Sequence, residues 1–293
     1  MTFAYSSNMK INTLCIIGVG LIGGSLARAL RKAGACGHIV GCSRQRRNLE
    51  KALALGVIDR FETDVAKAVA GADMVVVAVP LLAMEPLFHA MVGKIAPDAV
   101  ITDGGSAKQS VLAAARAAFG RIPGNLVPAH PIAGTERSGV EASFDTLFQN
   151  RRVIITPVAE TDPVAIDRVH AMWEATGATV ARMDPRHHDE VLAATSHLPH
   201  VLAYALVDML GEMDKKTEIF RYAAGGFRDF TRIASSDPRM WRDICLANTD
   251  AIVAVLERFQ EQLQSVTEVI RDEEGDSIES LFERAKQYRD RNT

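Results

Sequence analysis

The stretch "CIIGVGLIGGSLARAL", residues 15–30, begins as an apolar run, is broken by glycines and continues with the periodicity of an amphipathic helix. Gly18, Gly20 and Gly23 have the G-x-G-x-x-G spacing, in which glycines permit a tight turn, close approach of the backbone to a diphosphate, and close packing of helix on strand. The spacing alone also fits a glycine-rich loop that binds nothing. The flanking sequence therefore has to distinguish the two.

The sequence around this stretch alternates short apolar runs with amphipathic helical patterns, from Thr13 to about Arg182. The predicted strands are "TLCIIG", "HIVGCS", "DMVVVAVP", "AVITDGG", "NLVPAH", "RVIITP" and "TVARM". The predicted helices cover residues 21–34, 44–56, 82–93, 106–119 and 163–177. This order predicts an α/β fold of the Rossmann type, a doubly wound parallel sheet with its ligand crevice at the carboxyl ends of the strands. In that context the glycine turn favours a dinucleotide over an empty loop.

The chain changes character after Asp184. The runs become long and helical, as in "HHDEVLAATSHLPHVLAYALVDML" and "MWRDICLANTDAIVAVLERFQEQL". We predict a dinucleotide-binding domain at 11–184 and an all-α domain at 185–293, with a final helix from Ser277. Residues 248–270 carry apolar side chains at helical spacing, and this face needs a cover, either a second copy of the chain or other parts of the same chain. Its members are Ile252, Val253, Leu256, Phe259, Leu263, Val266 and Ile270.

The composition excludes several classes of protein. The chain has 293 residues, 48% of them hydrophobic, and a formal net charge of −3, which provides no basic field for nucleic acid. The four cysteines have no C-x-x-C spacing, which is typical of reduced cysteines in a cytoplasmic enzyme and indicates neither zinc nor disulfides. No segment reaches the ~18 apolar residues that cross a bilayer, and residues 1–10 lack a signal-peptide pattern. We therefore expect a small-molecule substrate, no membrane association and a short disordered lead-in.

The end of the second predicted strand, "VGCSRQRRN", bears on the choice of dinucleotide. Ser43 stands where an acidic residue usually binds the ribose hydroxyls of NAD, and Arg44, Arg46 and Arg47 follow it. A hydroxyl and guanidinium groups would bind a 2′-phosphate, so NADP is predicted, with NAD as the alternative. The arginines also fit an ordinary solvated helix face. The further cofactor-binding candidates are Leu21, Ile22, Val79 and Pro80.

Four motifs carry a more specific resemblance. They are "TDGGSAK" at 102–108, "VPAHPIAGTERSGVEAS" at 127–143, "TSHLPH" at 195–200 and "GGFRDFTRIASSDPRMW" at 225–241. Together they resemble the prephenate/arogenate dehydrogenase family of tyrosine biosynthesis, over the chain from the first strand to about residue 270. The resemblance implies a helical C-terminal substrate and dimerisation domain, a homodimer, and oxidative decarboxylation of a cyclohexadienyl alcohol. In that reaction hydride moves from the ring carbon bearing the hydroxyl to the nicotinamide, and the ring carboxylate leaves as CO2.

The resemblance also implies roles for individual residues. His130 matches the catalytic histidine, placed directly after a strand end, where a neutral imidazole accepts the hydroxyl proton. Ser106 matches a serine that hydrogen-bonds this histidine and the substrate hydroxyl, although a plain helix N-cap explains it equally. Arg232 matches the arginine that binds the ring carboxylate, a task suited to a bidentate fork.

For the other matched positions, an ordinary structural role competes more strongly with a functional one. His200 and His197 are implied near the side-chain carboxylate, and a polar gate around the pocket is implied for Thr135, Glu136, Arg228 and Asp229. Helix-face histidines and surface ion pairs are the alternatives for these residues. Pro199 lacks an N–H and predicts an irregular helix around it. Trp241 is interpreted as a packing or interface residue rather than a surface for a ligand.

Three alternatives stay open at this point. A metal site at His187, His188, His197 and His200 is not expected, because no acidic or cysteine ligand recurs at a zinc-like spacing. A hydroxy-acid dehydrogenase of similar organisation would use a lysine in its second domain, where this chain has few. A non-catalytic NADPH-sensing module would need the glycine turn and Arg44, but neither His130 nor Arg232. The sequence does not distinguish arogenate from prephenate.

Overall fold

The computed structural model describes residues 10–292, without the side chains of residues 214–217. The predicted lead-in therefore lies outside the described residues, except for Lys10. The chain divides into two compact units, the first ending at Asn248 and the second beginning at Thr249. The predicted domain boundary between residues 184 and 185 falls within the first unit and stays a prediction.

A six-stranded parallel sheet forms the centre of the first unit. Its strands lie in the order β3-β2-β1-β4-β5-β6. They are β1 (Ile11–Ile17), β2 (Cys36–Cys42), β3 (Arg60–Glu62), β4 (Met74–Val77), β5 (Val100–Asp103) and β6 (Leu126–Val127). The order reverses direction between β1 and β4, and this switch point is where doubly wound sheets bind ligands. The predicted α/β fold class is confirmed.

Helices cover the sheet and bury its apolar side chains. They are α1 (Leu21–Lys32), α2 (Arg46–Ala54), α3 (Val65–Val69), α4 (Met84–Met91), α5 (Lys108–Phe119) and α6 (Pro163–Glu174). Leu26 and Leu30 of α1 join Leu14 and Ile16 of β1 in one core with Trp173 of α6, and these five side chains are fully buried. The strand β3 and the helix α3 were not predicted, because they are too short to show a clear period.

The last predicted strands form a separate sheet. It consists of β7 (Ala129–Pro131), antiparallel to β8 (Arg152–Ile155), which is parallel to β9 (Thr179–Arg182). The prediction of a single strand "NLVPAH" is therefore wrong. Pro128 has no N–H to donate, so the ladder with β5 ends before it and a strand of the second sheet begins after it. His130 consequently lies within β7, opposite Ile154, and not after a strand end.

Within the described residues, everything after Arg182 is helix or loop. The first unit continues with α7 (Pro185–Leu192), α8 (Leu198–Thr217), α9 (Gly225–Thr231) and α10 (Pro238–Ala247). Asp184 and Asp237 cap α7 and α10 through their carboxylates, each followed by a proline in the first turn. A π-helical turn, Ala193–His197, separates α7 from α8, which is the irregularity predicted next to Pro199.

The second unit consists of α11 (Thr249–Arg271) and α12 (Gly275–Asn292). On α11 Ile252 is buried, whereas Leu263 and Ile270 are exposed, and so are Phe282 and Tyr288 of α12. Of the seven predicted face residues, Val253, Leu263 and Ile270 are therefore exposed. Among residues 10–292, no helix has the length and apolar character needed to span a membrane.

Candidate active site

In the glycine turn between β1 and α1, two of the three motif glycines have no room for a side chain and one has. Gly18 has φ +97°, and a Cβ there would lie 2.2 Å from the carbonyl oxygen of Ala78. A Cβ at Gly23 would lie 2.3 Å from the carbonyl oxygen of Gly18. At Gly20 a Cβ would meet no atom within 4 Å. Gly18 and Gly23 are therefore required because a side chain there would clash with the backbone. Gly20 is not required for folding, and it leaves space beside the backbone.

The open position lies at the N-terminus of α1. Gly20 provides no side-chain cap, the first turn has no acidic residue, and the first intrahelical bond runs from Gly24 N–H to the Gly20 carbonyl. The N–H groups of Leu21, Ile22 and Gly23 thus have no acceptor in the part of the chain that the structure describes. Free N–H groups and the positive end of the helix dipole suit a diphosphate. The residues present therefore fit a dinucleotide.

Three strand ends meet around this turn. Val79 and Pro80 follow β4, and Cγ1 of Val79 would lie 2.9 Å from a Cβ on Gly18. Gly104 lies just after β5. A Cβ on Gly104 would lie 3.3 Å from Cγ2 of Ile22, so these two residues are neighbours. The candidates from the three segments therefore lie together at the switch point of the sheet.

The end of β2 carries the predicted phosphate-binding group. Ser43 follows β2, and its hydroxyl accepts a hydrogen bond from Gln45 N–H at 3.3 Å. Arg46 donates to Glu50 at 2.9 Å and stacks over the Phe61 ring at 5.3 Å, so it is already engaged on its own helix and on β3. Arg44 is exposed and forms no ion pair with the described residues.

Two carboxylates near this strand end are engaged as well. Glu62, opposite Cys42 in the ladder, pairs with Arg60 at 3.3 Å. Asp64 caps α3 by accepting the Lys67 N–H at 3.1 Å. Both carboxylates thus already have partners of their own.

His130 lies one residue before Pro131, which packs near Gly104 at the end of β5. Its neighbour Pro131 would lie 3.9 Å from a Cβ on Gly104, the same residue that contacts Ile22. Nδ1 of His130 is 2.9 Å from Nε2 of His188. Burial, reinforced by the nearby His188 and Lys108, holds the pKa of His130 well below its usual value. The imidazole is therefore neutral at pH 7.

His188 connects His130 to a carboxylate. Its Nδ1 is 2.8 Å from Oδ1 of Asp189, and both side chains are buried. The same carboxylate accepts the N–H groups of Lys108 at 2.7 Å and Gln109 at 2.9 Å, the first two of α5. Burial lowers the pKa of His188, opposed by Asp189. Asp189 is thus both the cap of α5 and the end of a hydrogen-bonded chain that begins at His130.

A buried ion pair holds the residue before His130. Nζ of Lys108 donates to Asp103 Oδ2 at 2.5 Å and to the Ala129 carbonyl at 2.6 Å, with Lys108 and Asp103 fully buried. The second oxygen of Asp103 accepts the Ala129 N–H at 3.1 Å. Burial lowers the pKa of Lys108, and Asp103 opposes that shift. The pair clamps the end of β5 to the start of β7.

Ser106 precedes α5 without capping it. The N-cap position belongs to Ala107, and the capping function falls to Asp189. Ser106 is half-buried, and its hydroxyl has no hydrogen-bond partner among residues 10–292. The plain N-cap interpretation is therefore wrong.

The two helix histidines pack against Trp241. His200 stacks on its ring with centroids 3.7 Å apart, and its Nδ1 is 2.9 Å from the Ser196 carbonyl oxygen. His197 contacts the same ring edge-on at 6.1 Å. Burial lowers the pKa of His200, and the charge of Arg232 lowers it further. Trp241 therefore packs against the rings of these two histidines, as expected of a packing residue.

His197 has one ring nitrogen satisfied and one without a partner. Its Nδ1 is 3.2 Å from Nδ2 of Asn248, which also donates to the Asp189 carbonyl at 2.9 Å. An amide nitrogen only donates, so Nδ1 accepts and Nε2 carries the proton. Nε2 is buried and has no acceptor among the described residues. Burial lowers the pKa of His197 to about 4.

The proposed gate is only partly assembled. Arg232 lies in a 3-10 turn, Arg232–Ser235, with a guanidinium nitrogen 3.6 Å from the Glu136 carboxylate, and both side chains are exposed. Thr135 accepts a hydrogen bond from the Arg137 N–H at 3.2 Å. Arg228 and Asp229 are exposed on α9 and make no ion pair within the described residues. The structure thus brings together Arg232, Glu136 and His200, and leaves Arg228 and Asp229 at the surface.

The sequence reasoning missed the roles of His188, Asp189, Lys108 and Asp103. His188 was considered only as a metal ligand, together with His187, which is exposed on the other side of α7. No group of three or more potential ligands able to hold a metal occurs within residues 10–292. A usable signal was "DPRHHDE", where a capped helix start places His188 and Asp189 on its buried side.

An open glycine turn at the switch point of a parallel sheet, next to a neutral histidine, defines a dinucleotide-binding oxidoreductase of the Rossmann type. The family model described as prephenate dehydrogenase, nucleotide-binding domain, matches residues 26–182. The model described as prephenate dehydrogenase, dimerization domain, matches residues 184–284. The chain belongs to the prephenate dehydrogenase family, which confirms the resemblance of its motifs.

Individual relatives agree with this assignment. The chain is 40% identical over 281 residues to a cyclohexadienyl dehydrogenase of Zymomonas mobilis, covering 94% of each chain. A crystal structure of prephenate dehydrogenase from A. aeolicus, in complex with hydroxyphenyl propionate and NAD+, is 36% identical, with a TM-score of 0.91 and coverage of 98% of this chain and 100% of that one. Synechocystis arogenate dehydrogenase is 26% identical, with a TM-score of 0.80 and coverage of 96% and 100%.

Proposed function

We propose that this chain oxidatively decarboxylates prephenate, arogenate or both in tyrosine biosynthesis, with a nicotinamide dinucleotide as hydride acceptor. The observation that carries the proposal is the placing of His130, hydrogen-bonded to His188, on a segment whose Pro131 packs near the same Gly104 as Ile22 of the open glycine turn. Family membership over both matched regions supports it. The relatives bear the names of cyclohexadienyl and arogenate dehydrogenases, and both substrates are therefore tested below.

The bound nicotinamide supplies the acceptor for the hydride that leaves the ring carbon bearing the hydroxyl. His130 takes the hydroxyl proton as the carbonyl develops. The bond to the ring carboxylate then breaks, CO2 leaves, and the electron pair of that bond enters the ring. The ring becomes aromatic, and its oxygen regains a proton from His130. Ser106, half-buried with a free hydroxyl, orients the histidine and the substrate hydroxyl.

Arg232 binds the ring carboxylate through its planar guanidinium. Its present partner, Glu136, is exposed at 3.6 Å, a weak surface pair that a substrate carboxylate can replace. His200 lies near this charge, and His197 next to it has an unsatisfied Nε2–H. These two histidines face the substrate side chain in the proposal, and Thr135, Arg228 and Asp229 complete the rim of the pocket.

NADP is the preferred cofactor in this proposal. Ser43 offers a hydroxyl where a carboxylate would repel a 2′-phosphate, and Arg44 is free to pair with it. Arg46 pairs with Glu50 on the same helix, but both side chains are exposed and such a surface pair is weak, so a 2′-phosphate can replace it. Leu21, Ile22, Val79 and Pro80 border the rest of the dinucleotide.

The chain works as a homodimer in the cytoplasm in this proposal. The match to a dimerization domain over residues 184–284 supports the dimer. The exposed apolar side chains Val253, Leu263 and Ile270 on α11 offer a surface that a second copy would cover. Size-exclusion chromatography with light scattering measures the state directly.

The central experiment is a two-by-two assay of prephenate and arogenate with NAD+ and NADP+. We expect reduced nicotinamide and CO2 in equal amounts with at least one substrate, and loss of about 100-fold or more in His130→Ala. A His130→Asn variant with full activity would contradict the proton-acceptor role. A protein that binds the dinucleotide but converts neither substrate would instead be a sensor.

Two variants test the binding roles. Arg232→Lys keeps the charge but loses the bidentate geometry, so we expect the substrate KM to rise about tenfold with a smaller change in kcat. Ser43→Asp places a carboxylate beside the 2′-phosphate, so we expect the ratio of kcat/KM for NADP+ over NAD+ to fall about tenfold or more. An unchanged ratio would refute the proposed phosphate site.

A further inference from the structure

We infer that His188 and Asp189 are positioning residues that fix the tautomer of His130 and leave its Nε2 as the only proton acceptor of the ring. This inference rests on the proposed function of His130 and extends it to two residues that touch neither substrate nor cofactor. Two hydrogen bonds connect the Asp189 carboxylate to His130 through His188.

The first step is the state of Asp189. Both of its oxygens receive backbone N–H groups from the start of α5, at 2.7 and 2.9 Å. An ionised carboxylate only accepts hydrogen bonds, and the positive end of the 12-residue helix α5 favours that charge. The atom 2.8 Å from Oδ1, Nδ1 of His188, must therefore be the donor.

The second step follows from the chemistry of imidazole. A neutral histidine has one N–H and one bare nitrogen, so a proton on Nδ1 leaves Nε2 of His188 as an acceptor. The atom 2.9 Å from that Nε2 is Nδ1 of His130, which must then donate. The proton of His130 is thus on Nδ1, and its Nε2 carries the free lone pair.

The geometry leaves this lone pair available. Nε2 of His130 has no hydrogen-bond partner in the part of the chain that the structure describes, and the ring is only half-buried. His188 is fully buried and Asp189 is 3% exposed, so water does not compete for the two inner hydrogen bonds. The acceptor therefore faces the accessible side, and the donor faces inward.

The arrangement also accommodates the proton once it is transferred. The substrate O–H bond breaks, an N–H bond forms at Nε2 of His130, and the ring becomes an imidazolium. Its Nδ1–H still donates to His188, and the positive charge is two hydrogen bonds from the Asp189 carboxylate. The carboxylate stabilises the cation without receiving the proton. When CO2 has left, the proton returns to the ring oxygen of the product.

The direct test needs no variant. Histidine labelled with ¹⁵N in the whole protein reports which ring nitrogen is protonated, and His130→Asn identifies the His130 signals among those of the eight histidines. We expect Nδ1 protonated and Nε2 bare at pH 7.5. A proton on Nε2 of His130 overturns the inference. This measurement is independent of turnover, so it separates failure of the inference from failure of the proposed function.

Variants then test the consequence for the reaction. His188→Leu removes the acceptor, and we expect kcat to fall about 10- to 100-fold, the range seen for other partners that orient a functional histidine, with each KM within about threefold. His188→Gln retains a carbonyl oxygen for the Nδ1–H of His130, so we expect it to recover most of the rate and keep the Nδ1 tautomer. His187→Leu, on the exposed side of the same helix, is the matched control and should leave kcat unchanged.

The outcomes separate positioning from a purely structural contribution. A wild-type kcat in His188→Leu, or equal losses in the Leu and Gln variants with an unaltered His130 tautomer, overturns the inference. If His188→Leu does not fold, the Gln variant and the wild-type tautomer still decide it.

Discussion

Substituting the middle glycine of the β1–α1 turn should affect dinucleotide binding and leave folding intact. In Gly20→Ala the new methyl group enters space with no protein atom within 4 Å, and the backbone φ of −103° lies outside the left-handed region that favours glycine. We expect the free energy of unfolding to stay within about 1 kcal/mol of wild type. The same space is where a diphosphate would approach the N–H groups of α1.

The expected loss of affinity follows from the cost of overpacking. An added methyl in a filled site costs about 1–3 kcal/mol. At about 1.4 kcal/mol per tenfold change, the dinucleotide Kd should rise roughly fivefold to 150-fold. Isothermal titration with NAD+ and NADP+ measures this, and urea denaturation measures the unfolding free energy.

Two other glycines serve as controls. Gly18→Ala combines a φ of +97° with a Cβ 2.2 Å from the Ala78 carbonyl oxygen, so we expect a loss of at least about 2 kcal/mol in unfolding free energy. Gly211→Ala, within α8, also meets open space and should change neither folding nor Kd adversely. A wild-type Kd in Gly20→Ala, or an unfolding cost equal to that of Gly18→Ala, would refute the assignment of the open space to the cofactor.

Further predictions concern the buried charges. Lys108→Met leaves the Asp103 carboxylate buried without its cation, so urea denaturation should show a loss of about 3–5 kcal/mol, partly restored in Lys108→Met/Asp103→Asn; equal losses in both would contradict the ion-pair explanation. His197 is neutral in the fold because its pKa is lowered from 6.5 to about 4, so its contribution to the unfolding free energy is complete above pH 6.5 and is lost as the pH falls toward 4. The difference is worth about 3 kcal/mol at roughly 1.4 kcal/mol per pKa unit, and His197→Gln should flatten the decline of stability between pH 6.5 and 4. The same decline in the variant would show that other groups cause it.

The sequence was sufficient for the strand–turn–helix unit around Gly18, for the Rossmann fold class and for the family, and these predictions are confirmed. Their signals are local, since strand, glycine spacing and helix follow one another within residues 15–30. The separate second sheet was not predicted, because strand patterns report burial and not which strand pairs with which. Pro128 is the residue that indicates the break between the two sheets, because a proline has no N–H with which to continue a ladder.

The sequence proposes which residues form the candidate site but not the hydrogen bonds that connect them. His130 and His188 are 58 positions apart, and no spacing rule joins them. The pair of Arg46 with Glu50 on the same helix is a local i,i+4 interaction that the sequence itself indicates. The assigned roles of the site residues stay predictions until the variants are measured.

Pro128 marks the point at which one short segment of chain leaves the ladder of the first sheet and joins the ladder of the second. The residues before it are tied to the sheet that carries the glycine turn, and those after it are tied to β8, with His130 opposite Ile154. The Lys108–Asp103 pair also ties Ala129 to β5, so the segment that carries His130 is held by both sheets. A substitution in β8, such as Ile154→Val, would therefore act on the histidine from one side and a substitution of Lys108 from the other, and the position of the ring depends on how the two sheets are joined.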